Sequence, residues 1–131
     1  MESELGMGER RVLVVEDDRD LADMMSWVLT AAGFKVTTAS NGAAGLEALS
    51  ALPQCVVILD LMMPDVDGME FRVRQQQHPT GREAPVLVVS GRHDAARLAA
   101  GMGVAGFLPK PFSPDDLVQA VSRIAGSAAA S

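Results

Sequence analysis

The chain has a single cysteine, Cys55, so an internal disulfide is excluded. That usage fits a reducing compartment, and a cytoplasmic location is expected. Basic residues are few: 11 Lys and Arg face 17 Asp and Glu, for a net charge of −6. No basic stripe is present to meet a phosphate backbone, which argues against direct nucleic-acid binding. No apolar run approaches the length of a membrane span. The first nine residues are acidic and lack the apolar core of a secretory signal. The two histidines, His78 and His93, stand in polar segments without metal-ligand spacing, and both are expected to be solvated. No internal repeat is visible. What remains is 131 residues, 48% apolar and 21% charged, which suits one globular domain with one core.

The run Val56-Val57-Ile58-Leu59 organises the rest. It is wholly apolar and rich in β-branched residues, as in a strand covered on both faces. It ends on a carboxylate, Asp60, and Pro64 and Asp67-Gly68 mark a turn-rich loop behind it. A second such run, residues 11–15, ends in Glu16-Asp17-Asp18. Leu21, Met24, Met25, Val28 and Leu29 then recur at helical spacing, with Asp18 as N-cap and Gly33 as the stop. Residues 35–39 read as a short strand, Asn41-Gly42 as a turn, and residues 44–49 as a small-residue helix ending before Pro53. A helix is expected over 69–78, with Met69, Phe71 and Val73 as its apolar positions and a polar second half from Gln75. Residues 85–89 read as a strand ending in Ser90-Gly91. An Ala-rich helix follows over 94–100, and Phe107-Leu108 form a last short strand before Lys110-Pro111. Ser113-Pro114-Asp115-Asp116 is a helix start, and Leu117, Val118, Val121 and Ile124 give that helix one apolar face. Residues 1–9 read as a flexible lead-in, 10–126 as the domain and 127–131 as a flexible tail.

Strand and helix therefore alternate five times, which implies an α/β fold: a parallel sheet with helices on both faces. In such sheets the carboxyl ends of the strands share one edge, where ligands bind. That edge receives Glu16, Asp17, Asp60, Ser90 and Lys110. Clustered carboxylates repel one another, and a hard divalent cation such as Mg²⁺ relieves the repulsion through oxygen ligands. An ammonium and a hydroxyl beside them suit a site that receives a phosphoryl group, with Asp60 as the attacking nucleophile.

Four motifs in order carry a family resemblance: Val-Leu-Val-Val-Glu16-Asp17-Asp, Leu-Asp60-Leu-Met-Met-Pro64-Asp-Val-Asp-Gly68, Val-Val-Ser90-Gly91 and Gly-Phe107-Leu-Pro-Lys110-Pro111-Phe. The chain resembles the receiver domain of two-component response regulators over residues 10 to 126. The resemblance implies a single-domain (βα)5 flavodoxin-like, doubly wound sheet of order 2-1-3-4-5. It implies that Asp60 accepts a phosphoryl group from a sensor histidine kinase or a phosphotransfer protein. Mg²⁺ is expected to be held by Glu16, Asp17, Asp60 and the backbone carbonyl of Met62. Lys110 is expected to face the phosphoryl group, with Ser90 and Phe107 as the switch pair. Pro64 and Gly68 take the structural role of shaping the loop, and Lys110-Pro111 matches a bond that is usually cis. The switch is expected to reshape the face made by the fourth helix, fifth strand and fifth helix. That face would receive a downstream effector protein or a fused output domain, or a second copy of the chain as a homodimer.

The resemblance thus implies a signalling switch that catalyses only its own phosphoryl acceptance and loss. An aspartyl phosphatase would want a second acid two residues after Asp60, where Met62 stands. A flavin-binding protein of this topology would want a Ser/Thr/Gly-rich phosphate loop after the first strand, where this chain has acids. A receiver-like docking module acting without phosphorylation is the remaining alternative. No further domain is expected after Ala125, so the chain reads as a stand-alone receiver or one excised from a larger protein.

Overall fold

Runs of β-branched residues with apolar side chains on both faces form the middle of the molecule. The structure, a computed structural model, describes residues 10–52, 54–61 and 68–130, with backbone alone for 127–130. The expected lead-in at residues 1–9, Pro53, the Met62 carbonyl, Pro64 and Ser131 lie outside the described residues. The order is β1 (Arg11–Val15), α1 (Arg19–Ala31), β2 (Lys35–Ala39), α2 (Gly42–Ala48), β3 (Cys55–Asp60), α3 (Gly68–Gln76), β4 (Val86–Ser90), α4 (Ala95–Gly101), β5 (Gly106–Pro109) and α5 (Pro114–Ala130). A short 3-10 turn, Leu49–Ala51, closes α2. All four strand pairings are parallel, in the order β2-β1-β3-β4-β5.

Alternation along each strand divides the core in two. Val12, Val14, Val56, Ile58, Leu87 and Val89 pack under α1 and α5, against Met25, Leu29, Leu117 and Val121. Leu13, Val15, Val57, Leu59, Val86 and Val88 pack on the other face, against Leu49, Phe71, Ala95 and Ala99. Every residue of β3 and β4 is buried, as a central strand covered twice must be. Among the described residues no helix is long and apolar enough to cross a membrane.

Helix ends follow local chemistry. Asp18 caps α1 by accepting from the Leu21 amide. Gly33 turns the chain out of that helix at φ +101°, a left-handed conformation that favours glycine. Ser113 and Asp116 cap α5 reciprocally, each side chain accepting from the other's amide.

Several expectations need correction. Asn41-Gly42 is a helix start rather than a free turn, with the Asn41 side chain accepting from Ala44 N at 2.7 Å. In α3, Met69 and Val73 are exposed, and the buried stripe is Gly68, Phe71 and Gln75. Gln75 is fully buried because its amide reaches two carbonyls of the following loop, Gly81 at 2.7 Å and Ala84 at 3.1 Å. His78 is half-buried, its Nδ1 accepting from the amides of Thr80 and Gly81. α5 is assigned over Pro114–Ala130.

Candidate phosphoryl-acceptor site

The parallel topology brings five side chains to one sheet edge. Glu16 and Asp17 follow β1, Asp60 ends β3, Ser90 ends β4 and Lys110 follows β5. The Glu16 amide still donates to Ala39 O at 3.0 Å, so the residue is fixed as an extension of the ladder with β2. Lys110 is fixed in the same way by its amide, which donates to Ser90 O at 3.0 Å. The Lys110-Pro111 peptide bond is cis.

Glu16, Asp17 and Asp60 can each offer a carboxylate oxygen within 4.8 Å of the others. The Lys110 ammonium lies 3.2 Å from Glu16 Oε1 and 3.4 Å from Asp60 Oδ2. The Glu16 side chain is 1% exposed and that of Asp60 6%, so water screens neither carboxylate well. Burial, followed by the neighbouring Asp60 carboxylate, pushes the Glu16 carboxyl up to about 7. Lys110 opposes that shift without cancelling it. Among the described residues, one ammonium contacts this group of three acids. An all-oxygen donor set of this spacing fits a hard cation such as Mg²⁺.

Gly68 sets how closely α3 approaches Asp60. Its amide donates to Leu61 O at 3.1 Å, and a Cβ there would lie 2.6 Å from Leu61 Cα and 2.9 Å from Asp60 O. Only a glycine lets the helix start this close behind the acid.

On the other side, Ser90 is buried, and its Oγ accepts from the Arg92 amide at 3.1 Å. Phe107 is half-buried against the core face that holds Ala95, Ala99 and Met102. It sits opposite Val88 in the β4–β5 register. Of the expected site residues, Glu16, Asp17, Asp60, Ser90 and Lys110 gather at the edge, while Phe107 lies back along β5. Cys55 is at the far end of β3, where burial pushes its thiol up to about 11 and leaves it inert at neutral pH.

Two polar clusters escaped the sequence reading. Arg72 of α3 donates to Met102 O and Gly103 O at the end of α4, and to the Gln75 amide oxygen. Arg92 holds both carboxylate oxygens of Asp94 at 2.9 Å. The Arg92 hydrogen bond is the main reason that the Asp94 carboxyl lies below its usual range. A charge pair two residues apart is visible in the sequence, but nothing there distinguishes it from separately solvated groups.

The family model for the response regulator receiver domain matches residues 12–122. The response regulator MprA of Mycolicibacterium vanbaalenii is 36% identical over 110 residues, covering 82% of this chain and 47% of that protein. The chain thus spans about half the length of the curated relatives it matches. Among solved structures, the Vibrio cholerae chemotaxis protein CheY4 superposes with a TM-score of 0.81 at 28% identity, covering 88% of this chain and 98% of that one. A sensor protein from Polaromonas sp. JS666 superposes with a TM-score of 0.81 at 26% identity, covering 90% and 97%.

Proposed function

Because the chain belongs to the response regulator receiver domain family, we propose that it is a phosphorylation switch with Asp60 as the acceptor. The carrying observation is a buried carboxylate at the end of the central strand, with an ammonium 3.4 Å away and two further acids within ligand reach. An Asp60 carboxylate oxygen forms the new bond to phosphorus. The bond from phosphorus to the donor breaks, and its electron pair leaves with the donor, an imidazole nitrogen for a phosphohistidine. Lys110 stands where its charge offsets that of the phosphoryl oxygens, and Ser90 has a hydroxyl to donate to one of them. Glu16, Asp17, Asp60 and the Met62 carbonyl would hold Mg²⁺. When bound, that ion supplies positive charge beside the transferred phosphoryl group.

Donors of this chemistry are a sensor histidine kinase or a phosphotransfer protein. The protein is a switch rather than a turnover enzyme, catalysing only its own phosphoryl gain and loss. Movement of Ser90 toward the phosphoryl group, followed by Phe107, alters the face formed by α4, β5 and α5. A downstream effector, or an output domain on the same chain, that prefers the altered face shifts the population toward it.

The test is amide NMR with beryllofluoride and Mg²⁺, a stable mimic of the phosphoryl group. The expected result is a saturable change at Asp60, Ser90 and Phe107 that is lost without Mg²⁺. Changes confined to Asp60 and its sequence neighbours would overturn the Ser90–Phe107 route. No change at all would favour the docking module.

A further inference from the structure

Asp94 stands at the N-cap position of α4, and is of a residue type that ordinarily caps helices through its side chain. Here the Asp94 carboxylate accepts nothing from the helix. Both of its oxygens are held by Arg92, from Nε and from the Nη2 nitrogen, each at 2.9 Å. The residue that should begin α4 is therefore engaged on the wrong side of it. α4 is seven residues long and buries Ala95 and Ala99, and its anchoring by Arg72, through Met102 O and Gly103 O, lies at the other end.

The engaged pair is wired to the acceptor site. The Arg92 amide donates to Ser90 Oγ at 3.1 Å, and the Arg92 carbonyl accepts from the Ala95 amide at 3.2 Å. A chain of bonds thus runs from the Ser90 hydroxyl through Arg92 to Asp94 and the first turn of α4. We propose that Arg92 withholds the Asp94 cap from α4 in the resting protein, and that the turn of Ser90 toward a phosphoryl group on Asp60 releases it. This inference rests on the switch reading above and adds its mechanical consequence: phosphorylation caps the first turn of α4. An exposed ion pair and a single helix cap are both weak interactions of similar size, so a small movement of residue 92 decides between them. The effector then meets a face whose helix is capped only in the phosphorylated state.

Amide hydrogen exchange of Ala96 and Arg97, the amides within reach of a side-chain cap at Asp94, tests this in the full chain. In the resting wild type these amides exchange fast, and beryllofluoride with Mg²⁺ slows them about fivefold, the factor that one cap supplies. Arg92→Met slows them by a similar factor with no phosphoryl mimic. Asp94→Asn, which keeps a cap acceptor but loses the charge that holds Arg92, does the same. Arg92→Met combined with Asp94→Ala returns exchange to the fast rate. If Arg92→Met and Asp94→Asn leave resting exchange unchanged, the proposal is wrong whatever the mimic does. If those variants act as expected but intact mass shows no phosphoryl adduct from acetyl phosphate, the cap competition stands. In that case the switch reading fails, and with it the link to Ser90.

Discussion

A carboxyl group buried beside another carboxyl resists ionisation, and Glu16 is held in that position beside Asp60. Its value rises from 4.5 to about 7. Between those two values the folded chain carries more protons than the unfolded chain. Stability of the metal-free protein therefore falls as pH rises through that window. The full loss is at most about 3 kcal/mol, at 1.36 kcal/mol for each pH unit of displacement. Urea midpoints in EDTA should decline from pH 5 to pH 8, and Glu16→Gln should flatten that slope. Mg²⁺ competes with protons for the same oxygens, so it should raise the midpoint more at pH 8 than at pH 5. Gly68 acts on the same site by steric means. In Gly68→Ala the new Cβ meets Leu61 Cα at 2.6 Å and Asp60 O at 2.9 Å, both backbone atoms that cannot give way alone. We expect a loss of about 1–3 kcal/mol in chemical denaturation, typical of overpacking, together with slower phosphorylation by acetyl phosphate.

Among the elements, those whose environment is local were readable in advance. β1 and β2 run over the residues expected, and β3 exceeds its apolar run by one residue at each end. Their buried faces come from β-branched runs that need no partner to be recognised. α3 shows the opposite case. Its buried positions include Gln75, which reads as surface because its burial depends on carbonyls six and nine residues away. Met69 and Val73 read as core, yet they face out because Phe71 and Gln75 set the helix rotation. The N-terminal cap by Asn41 was hidden by the following glycine, since Asn-Gly is also a turn signal. Gln75→Met keeps the side chain's length but leaves the Gly81 and Ala84 carbonyls and the Arg72 guanidinium short of partners. We expect it to cost about 1–3 kcal/mol. Faster amide exchange at Ala84, whose amide closes the Gly81 turn, would show the loop loosening.

Over the whole molecule, the site exists because a parallel sheet carries distant segments to one edge. Glu16 and Lys110 are 94 positions apart in the chain and 3.2 Å apart in space. The sequence reading reached the acids, the serine and the lysine because each follows a recognisable strand, and parallel strands end together. The Met62 carbonyl and Pro64 lie outside the described residues. We propose that this edge accepts a phosphoryl group on Asp60. The most direct test is intact mass after incubation with acetyl phosphate, with and without Mg²⁺, for the wild type and Asp60→Asn. The expected result is a single phosphoryl adduct on the wild type that requires Mg²⁺ and is absent from Asp60→Asn. An adduct of equal yield on Asp60→Asn, or none on the wild type, would contradict it.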